Sequence, residues 1–358
     1  MTLKRLTINH FRNLTHVSLN FCPNFNLFYG DNGSGKTSLF EAIYYLSTSR
    51  SFRNHINQRV IAFDQPAFTL FAECDDSTTL GIQKSLTEPA VIKLSGEKPD
   101  SVSQLARVLP MVLLNYDSFD VFMGGSQKRR HLLDWLLFHV EPQFFAYWSR
   151  YQKALKQRNK ALKMRLSEDQ VTAWDDELVA MAENIDHFRQ KYWDGFVSEI
   201  TRLASAFLPG LSIVVTYKSG AKAGCDFKNS LAMSLAEDYQ RGFTYYGAHR
   251  ADLLFKTENG LVKDVFSRGQ QKALLLAVSL AQFAMYSAEA RSQNRPLVLV
   301  DDIAAELDQA VLRRMLSCLR AINAQVFISV IEQGDVELEL LGKMPAVFHV
   351  ERGEVKSV

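Results

Sequence analysis

Residues 30–37 run Gly30, Asp31, Asn32, Gly33, Ser34, Gly35, Lys36, Thr37. This is the spacing GxxxxGK[ST], which gathers backbone N–H groups around phosphate oxygens. Gly33 and Gly35 permit the backbone angles that make successive N–H groups converge. Lys36 supplies a flexible point charge for the β- and γ-phosphates, and the Thr37 hydroxyl suits Mg²⁺. Asn26, Leu27, Phe28 and Tyr29 predict a strand just before the loop, and a helix is expected from about Lys36 to Leu46. That helix aims its positive dipole end at the same phosphates. The candidate nucleotide contacts are Gly30, Asn32, Gly33, Ser34, Gly35, Lys36, Thr37 and Ser38.

A second constellation lies far along the chain. Leu297, Val298, Leu299 and Val300 predict a buried strand that ends in Asp301 and Asp302. Carboxylates at the C-terminal end of a parallel strand face the crevice where ligands bind. Asp301 is the candidate Mg²⁺ ligand, with Thr37. Asp302 is the candidate group that polarises an attacking water, with Lys36 as the other catalytic candidate. Adjacent acids after a strand also serve as helix-capping turns, and it is the phosphate loop that gives this pair its chemical reading. Asp308 reads equally as a crevice residue or as the N-cap of the helix expected over 306–322.

Elements must bring these two segments together. Alternating apolar positions make the first ~95 residues β-rich with one helix. Strands are expected at LKRLTIN, HVSLNF, AFTLFAEC, TLGIQKS and AVIKLS, separated by turn residues. From Gln127 to about Leu208 the pattern is helical, with Pro142 placed to open a helix and the last two helices long enough for an antiparallel hairpin. Then come the strand LSIVVTY, a long helix from about Gly269, the strand at 297–300 and the strand QVFISV. Strands alternating with helices predict parallel βαβ units. The expected division is an α/β head over 1–125 and 209–358, with a helical insertion over 126–208.

Composition narrows the class. The 358 residues predict two or three domains. A hydrophobic share of 47% with 22% charged residues describes a folded chain with material for a core, and excludes a disordered tail or fibre. The net charge of +2 excludes a histone-like polycation, so any nucleic-acid contact must come from a local patch. Cys22, Cys74, Cys225 and Cys318 form no CxxC pair, so neither a zinc site nor a disulfide framework is expected. MTLKRLTINH has no apolar signal region, and the stretch from Ala273 to Ala288 is too short and too polar to span a bilayer. A cytoplasmic protein without a membrane partner is expected.

Phe266, Ser267, Arg268, Gly269, Gln270, Gln271 and Lys272 open the long C-terminal helix. Here the chain resembles ATPases with ABC-type heads, which carry an LSGGQ-like segment at this place. Ser267 also reads as an ordinary Ser N-cap. The resemblance implies that Ser267, Gly269 and Gln270 of one subunit close on the ATP held by a second. ATP and Mg²⁺ would then drive a homodimer, and hydrolysis would loosen it.

Within those ATPases the start Ile8, Phe11, Arg12, Asn13, Leu14 resembles the SMC branch, but an insertion of about 80 residues is too short for a long SMC coiled coil. The chain is most similar to the RecF family of bacterial recombination and gap-repair proteins. The segments that carry the likeness are FRNL at 11–14, the phosphate loop and its helix, RSFR at 50–53, GGSQKRRHLLDW at 124–135, LKQRNKAL at 155–162, AHRADL at 248–253, SRGQQK at 267–272 and DDIAAELD at 301–308. The resemblance implies a mixed-sheet ABC/SMC-type head and a DNA-binding dimer that marks gaps or single-strand/duplex junctions. It also implies action with RecR and RecO in loading RecA recombinase, and Arg12 near the nucleotide phosphates, although a surface salt bridge is equally open to Arg12.

Three positions depart from the general ABC pattern. Arg268 stands where many ABC proteins have Gly, as in RecF-like proteins. Asp302 stands where most have Glu, one methylene longer. No His follows the strand 325–330, and Ser329 is the nearest polar side chain. The last two changes predict slow hydrolysis.

Two basic clusters are candidates for DNA. Lys153, Lys156, Arg158 and Lys160 continue into Lys163 and Arg165 with no acid between them, and Lys128, Arg129 and Arg130 sit at a helix start. Such side chains neutralise phosphates without reading bases. A solvated helix surface is the other reading of a charge run. The roles of His249 and Arg250 stay open. Two rival functions remain. A small-molecule kinase needs no signature segment, and a transport ATPase leaves the LKQRNKAL cluster without a role.

Overall fold

The computed structural model describes residues 1–53, 57–115, 121–289, 294–302, 308–342 and 345–358. The chain divides into two compact units, residues 1–119 with 291–358, and residues 120–290. The expected insertion over 126–208 lies inside the second unit, which also takes in the chain as far as residue 290.

The first unit begins with β1 (Leu3–Phe11), β2 (Leu14–Asn20), β3 (Phe25–Tyr29) and α1 (Lys36–Thr48). It continues with β4 (Ala67–Cys74), β5 (Thr79–Ser85), β6 (Val91–Leu94), α2 (Ser103–Val108) and β7 (Met111–Leu114). One sheet is antiparallel in the order β2-β1-β4-β5-β6. Leu6 and Ile8 of β1 and Phe68, Leu70 and Ala72 of β4 are buried with a period of two, while Leu3 and Phe11 are buried out of that period, β1 shifting register against β4 between Leu3 and Arg5.

The C-terminal part of this unit holds β11 (Leu297–Val300), α10 (Gln309–Ala321), β12 (Gln325–Val330), β13 (Ala346–Glu351) and β14 (Glu354–Ser357). These build the second sheet, in the order β14-β13-β3-β12-β11-β7. The N-terminal strand β3 is parallel to both its neighbours, β12 and β13. β11 is parallel to β12 and to β7. The parallel βαβ arrangement expected from the strand–helix alternation is present, and the two ends of the chain share one sheet. β7, β13 and β14 were not anticipated from the sequence.

Helix α1 lies between the two sheets, which is why it is buried on most sides. Phe40 meets Phe28 of the parallel sheet edge-on at 5.6 Å, and Tyr45 meets Phe68 of the antiparallel sheet at 5.3 Å. Such aromatic pairs add about 0.5–1.5 kcal/mol each beyond burial.

The second unit contains α3 (Ser126–Val140), α4 (Phe144–Lys163), α5 (Glu168–Thr172), α6 (Asp175–Phe207), β8 (Val214–Lys218) and α7 (Phe227–Arg241). Then follow β9 (Asp252–Thr257), β10 (Gly260–Leu261), α8 (Val262–Val265) and α9 (Arg268–Glu289). A small antiparallel sheet runs β10-β9-β8. Helices α4 and α6 form the expected antiparallel hairpin. Arg158 pairs with Asp175 near the turn, and Tyr147 meets Phe188 farther from it. The two helices are held by apolar faces that include Tyr151, Leu155 and Leu162 on α4 and Leu178, Met181 and Ile185 on α6.

Candidate nucleotide site

Parallel strands end together, and their C-terminal ends place the loop and the acids side by side. Tyr29 of β3 is level with Val330 of β12, and the Gly30 N–H donates to the Ile331 carbonyl at 3.1 Å. A Cβ at Gly30, whose φ is +154°, would lie 2.1 Å from the Val350 carbonyl oxygen, so only glycine lets the loop leave the sheet here. Gly35, at φ +124°, starts α1 with no side-chain cap. The open first turn leaves backbone N–H groups facing the loop.

Lys36 is buried and folds back on its own loop, donating to the carbonyls of Gly30 at 2.7 Å and Asp31 at 3.1 Å. Its Nζ also lies 3.9 Å from Asp302 Oδ1. The Thr37 hydroxyl faces Asp301 Oδ1 at 3.4 Å. The loop and the carboxylate strand, more than 260 residues apart in sequence, thus meet at the two atoms expected to share a divalent cation.

Ser329 organises the two acids. Its hydroxyl donates to Asp301 Oδ1 at 2.8 Å and accepts from the Asp302 N–H at 2.8 Å. Burial pushes the Asp301 carboxyl up to about 6; the Ser329 hydrogen bond opposes this and the Asp302 charge adds to it. A divalent cation at Thr37 and Asp301 would supply the missing positive charge. Asp302 sits at φ +53°, a strained angle for a non-glycine, with its carboxylate partly exposed.

The groups present fit a triphosphate. The Ser34 hydroxyl is buried and has no hydrogen-bond partner among the described residues, which calls for an acceptor at the loop. Among the described residues, Lys36 has only loop carbonyls and a distant carboxylate to satisfy an ammonium. A cleft of about 660 Å³ opens beside the loop, lined by Asn13, Gly33, Gly35, Lys36, Thr37, Ser38 and Asp302 together with Arg12, Arg53, Arg59, Ile61 and Phe63. Gly30, Asn32 and Ser34 instead line a hollow of about 600 Å³ on the other side of the loop, with Tyr29, Glu332 and His349.

Arg12 lies at the cleft, and its ion pair is with a buried carboxylate rather than at the surface. It makes a bidentate pair with the fully buried Glu41 at 2.7 and 2.9 Å. Its third nitrogen donates to the Arg59 carbonyl at 2.6 Å. The sequence reading missed Glu41, Arg59, Ile61 and Phe63. Phe63 is 91% exposed at the rim of the cleft, which its local sequence does not reveal.

Asp308 is the N-cap of α10, accepting from the Val311 N–H at 2.8 Å. The helix begins at Gln309, and Glu306 and Leu307, where the sequence placed its start, lie outside the described residues. Ser267 and Gln270 belong to the second unit and form a reciprocal capping box: the Ser267 N–H donates to Gln270 Oε1 at 2.9 Å, and the Gln270 N–H to Ser267 Oγ at 3.3 Å. Ser267 and Gly269 are exposed and Gln270 is half-buried.

Three of the basic candidates need correction as DNA contacts. Arg158 is fully buried and pairs with Asp175 at 2.7 Å and Asp238 at 2.6 Å. Arg129 is locked on Asp252 and on the carbonyls of Val121, Phe122 and Gly124. Arg130 is buried and donates to the Ala251 carbonyl at 2.7 Å. The side of the helix that each occupies decides the matter. Lys153, Lys156, Lys160 and Lys163 recur at helical spacing on the exposed side of α4, and Arg158 falls on the opposite side. Lys128 is exposed.

The RecF/RecN/SMC N terminal domain family matches residues 2–356. The chain is 36% identical, over 100% of both chains, to the DNA replication and repair protein RecF of Haemophilus influenzae, and 37% identical over 99% of both to that of Shewanella frigidimarina. Among solved structures it is similar to the recombination mediator protein RecF with ATP in the RecFOR pathway, with a TM-score of 0.86 at 25% identity, covering 100% of this chain and 97% of that one. An SMC head bound to the C-terminal winged-helix domain of ScpA shares the fold at a TM-score of 0.63 and 13% identity, covering 100% of this chain and 97% of that one.

Proposed function

The chain belongs to the RecF family within the RecF/RecN/SMC N-terminal group, and from that premise we propose that it is an ATP-switched DNA-binding protein of replication and repair. The observation that carries this is the meeting of Thr37, Asp301 and Lys36 at the ends of parallel strands beside the cleft. Loop N–H groups and Lys36 hold the triphosphate, and Thr37 and Asp301 hold Mg²⁺. Asp302 accepts a hydrogen bond from the attacking water, while Arg12, fixed by Glu41, faces the cleft. Bound MgATP supplies the γ-phosphoryl group whose presence or loss sets the switch.

In this reading Ser267, Gly269 and Gln270 of a second copy complete the site, so ATP favours a homodimer and the dimer holds DNA. Lys153, Lys156 and Lys160, with Lys128, are the proposed phosphate contacts. The short Asp302 carboxylate makes hydrolysis slow, with turnover below the typical enzyme median of about 10 s⁻¹, and DNA is the proposed stimulus of this weak ATPase. The names of its relatives and the RecFOR setting of the similar structure support a repair role with RecR and RecO; action at gaps or single-strand/duplex junctions, in loading RecA, is part of the same proposal and rests on the family resemblance.

The decisive experiment is light scattering with Mg²⁺ and either ATP or ADP, on wild type and Ser267→Arg. ATP alone should convert monomer to dimer, and the variant should stay monomeric. A mass independent of nucleotide would refute the composite site. A kinase would tolerate Ser267→Arg.

A further inference from the structure

The loop after α7 reads Arg241, Gly242, Phe243, Thr244, Tyr245, Tyr246, Gly247, Ala248, His249, Arg250. It stacks cations against rings at the surface of the second unit. Arg241 Cζ stands 4.3 Å from the Tyr245 ring centroid. Arg250 Cζ stands 5.2 Å from the centroid of Phe243 and 5.9 Å from that of Tyr245. Phe243 is 36% exposed, and Arg250 is exposed as well. Arg241 shares its charge with Glu237 at 2.6 Å. Arg250 has no carboxylate at ion-pair distance among the described residues.

The array is held rigidly from below. The N–H and the hydroxyl of Thr244 both donate to Asn159 Oδ1 at 2.8 Å, and the Tyr245 N–H donates to the buried Asp238 at 2.8 Å. The His249 ring spans the Tyr151 hydroxyl at 2.6 Å and the Thr244 carbonyl at 3.2 Å. Gly247, at φ +143°, leaves no room for a Cβ, which would lie 2.3 Å from the Tyr151 hydroxyl. Rings and guanidinium groups fixed before a ligand arrives lose little freedom when it binds.

The same anchors fix the loop to the end of the α4 lysine row. Asn159 adjoins Lys160, and a Cβ on Gly242 would touch the Lys163 stem at 3.5 Å. Cationic side chains therefore lead along α4 into the aromatic array.

We propose that this loop is a stacking platform for unpaired nucleotides of a DNA strand whose phosphates follow Lys153, Lys156 and Lys160. The inference rests on the DNA-binding reading above and adds the strand state that is recognised. An unpaired base offers a free π face to Phe243 and to the guanidinium planes, whereas the faces of duplex bases are covered by their neighbours. The edge of the stacked Arg250 guanidinium stays available to a phosphate, while that of Arg241 is held by Glu237. Stacking of this kind tolerates any base sequence.

The test is fluorescence anisotropy with a labelled thymidine oligomer and a blunt duplex of equal length, in Mg²⁺ and ATP. The proteins are wild type, Phe243→Ala, Phe243→Trp and Arg250→Gln. Phe243→Ala and Arg250→Gln should weaken single-strand binding about tenfold or more and leave duplex binding within about twofold, and Phe243→Trp should restore the single-strand affinity. Photo-crosslinking of the wild type to an oligomer carrying 5-iododeoxyuridine should give adducts within 243–250, a readout that needs no variant. Equal losses on both DNAs, no loss on either, or adducts elsewhere would overturn the platform. Wild type that binds neither DNA would overturn the DNA-binding reading itself, and the platform with it.

Discussion

Lys36 has a buried ammonium whose partners in the cleft are the carbonyls of Gly30 and Asp31 and the more distant Asp302. Such a charge is best satisfied by a phosphate. Lys36→Ala should reduce ATP affinity about 10–100-fold, as expected for a charge-assisted contact, with unchanged circular dichroism; fluorescent-nucleotide titration measures it. His249 carries a different consequence. Burial, aided by the Arg250 charge, holds it down at about 3, while the ring accepts from Tyr151 through Nδ1 and donates to the Thr244 carbonyl through Nε2. An unfolded histidine binds its proton near 6.5. Between those values the unfolded chain takes up a proton that the folded chain refuses, so stability is lost as pH falls from about 6.5 towards 3. At pH 5 that loss is about 2 kcal/mol for wild type, and urea unfolding of His249→Gln should show less of it.

Helix α4 shows what a charge run cannot reveal by itself. The sequence shows six cations from Lys153 to Arg165. It does not show that Arg158 turns inward to Asp175, Asp238 and Thr244, because those partners lie 17, 80 and 86 residues away. Removing Arg158 leaves two carboxylates without their cation, so Arg158→Met should cost about 3–5 kcal/mol in thermal or urea unfolding. Glu at Lys153, Lys156 and Lys160 together should leave stability nearly unchanged. It should also flatten the salt dependence of DNA binding by up to about 3 units of slope; an unchanged slope would remove α4 from the interface. The phosphate loop, β11 with its acids and most of the first antiparallel sheet were legible, because each is written in contiguous residues. The Arg12–Glu41 pair was not, since Glu41 reads as one polar position of a helix until packing on both sides buries it. Arg59, Ile61 and Phe63 reach the cleft because the bridge between Phe11 and Ile61 draws a distant segment to the end of β1, and nothing local encodes that.

At the scale of the whole molecule, the proposed ATP-dependent assembly of two copies makes its own prediction. With Lys36→Ala the protein should stay monomeric in ATP by light scattering even though Ser267 is intact, and a mixture of Lys36→Ala with Ser267→Arg should form dimers with one working site. If the mixture gives no dimer, one site cannot hold the pair together. The order of the parallel sheet has a further consequence, in time. β3 lies between β12 and β13, so the loop it carries has no seat until both neighbours exist. At roughly 5–20 residues per second, a ribosome makes residues 30–37 between about a quarter of a minute and a minute before β13. A half-made chain can present the loop but not the carboxylates of Asp301 and Asp302. During that interval the apolar faces of β3 and α1 must be shielded by something other than their final partners. The complete site of loop and acids is therefore assembled late in biogenesis, and a chain cut short before β11 carries the loop without its carboxylates.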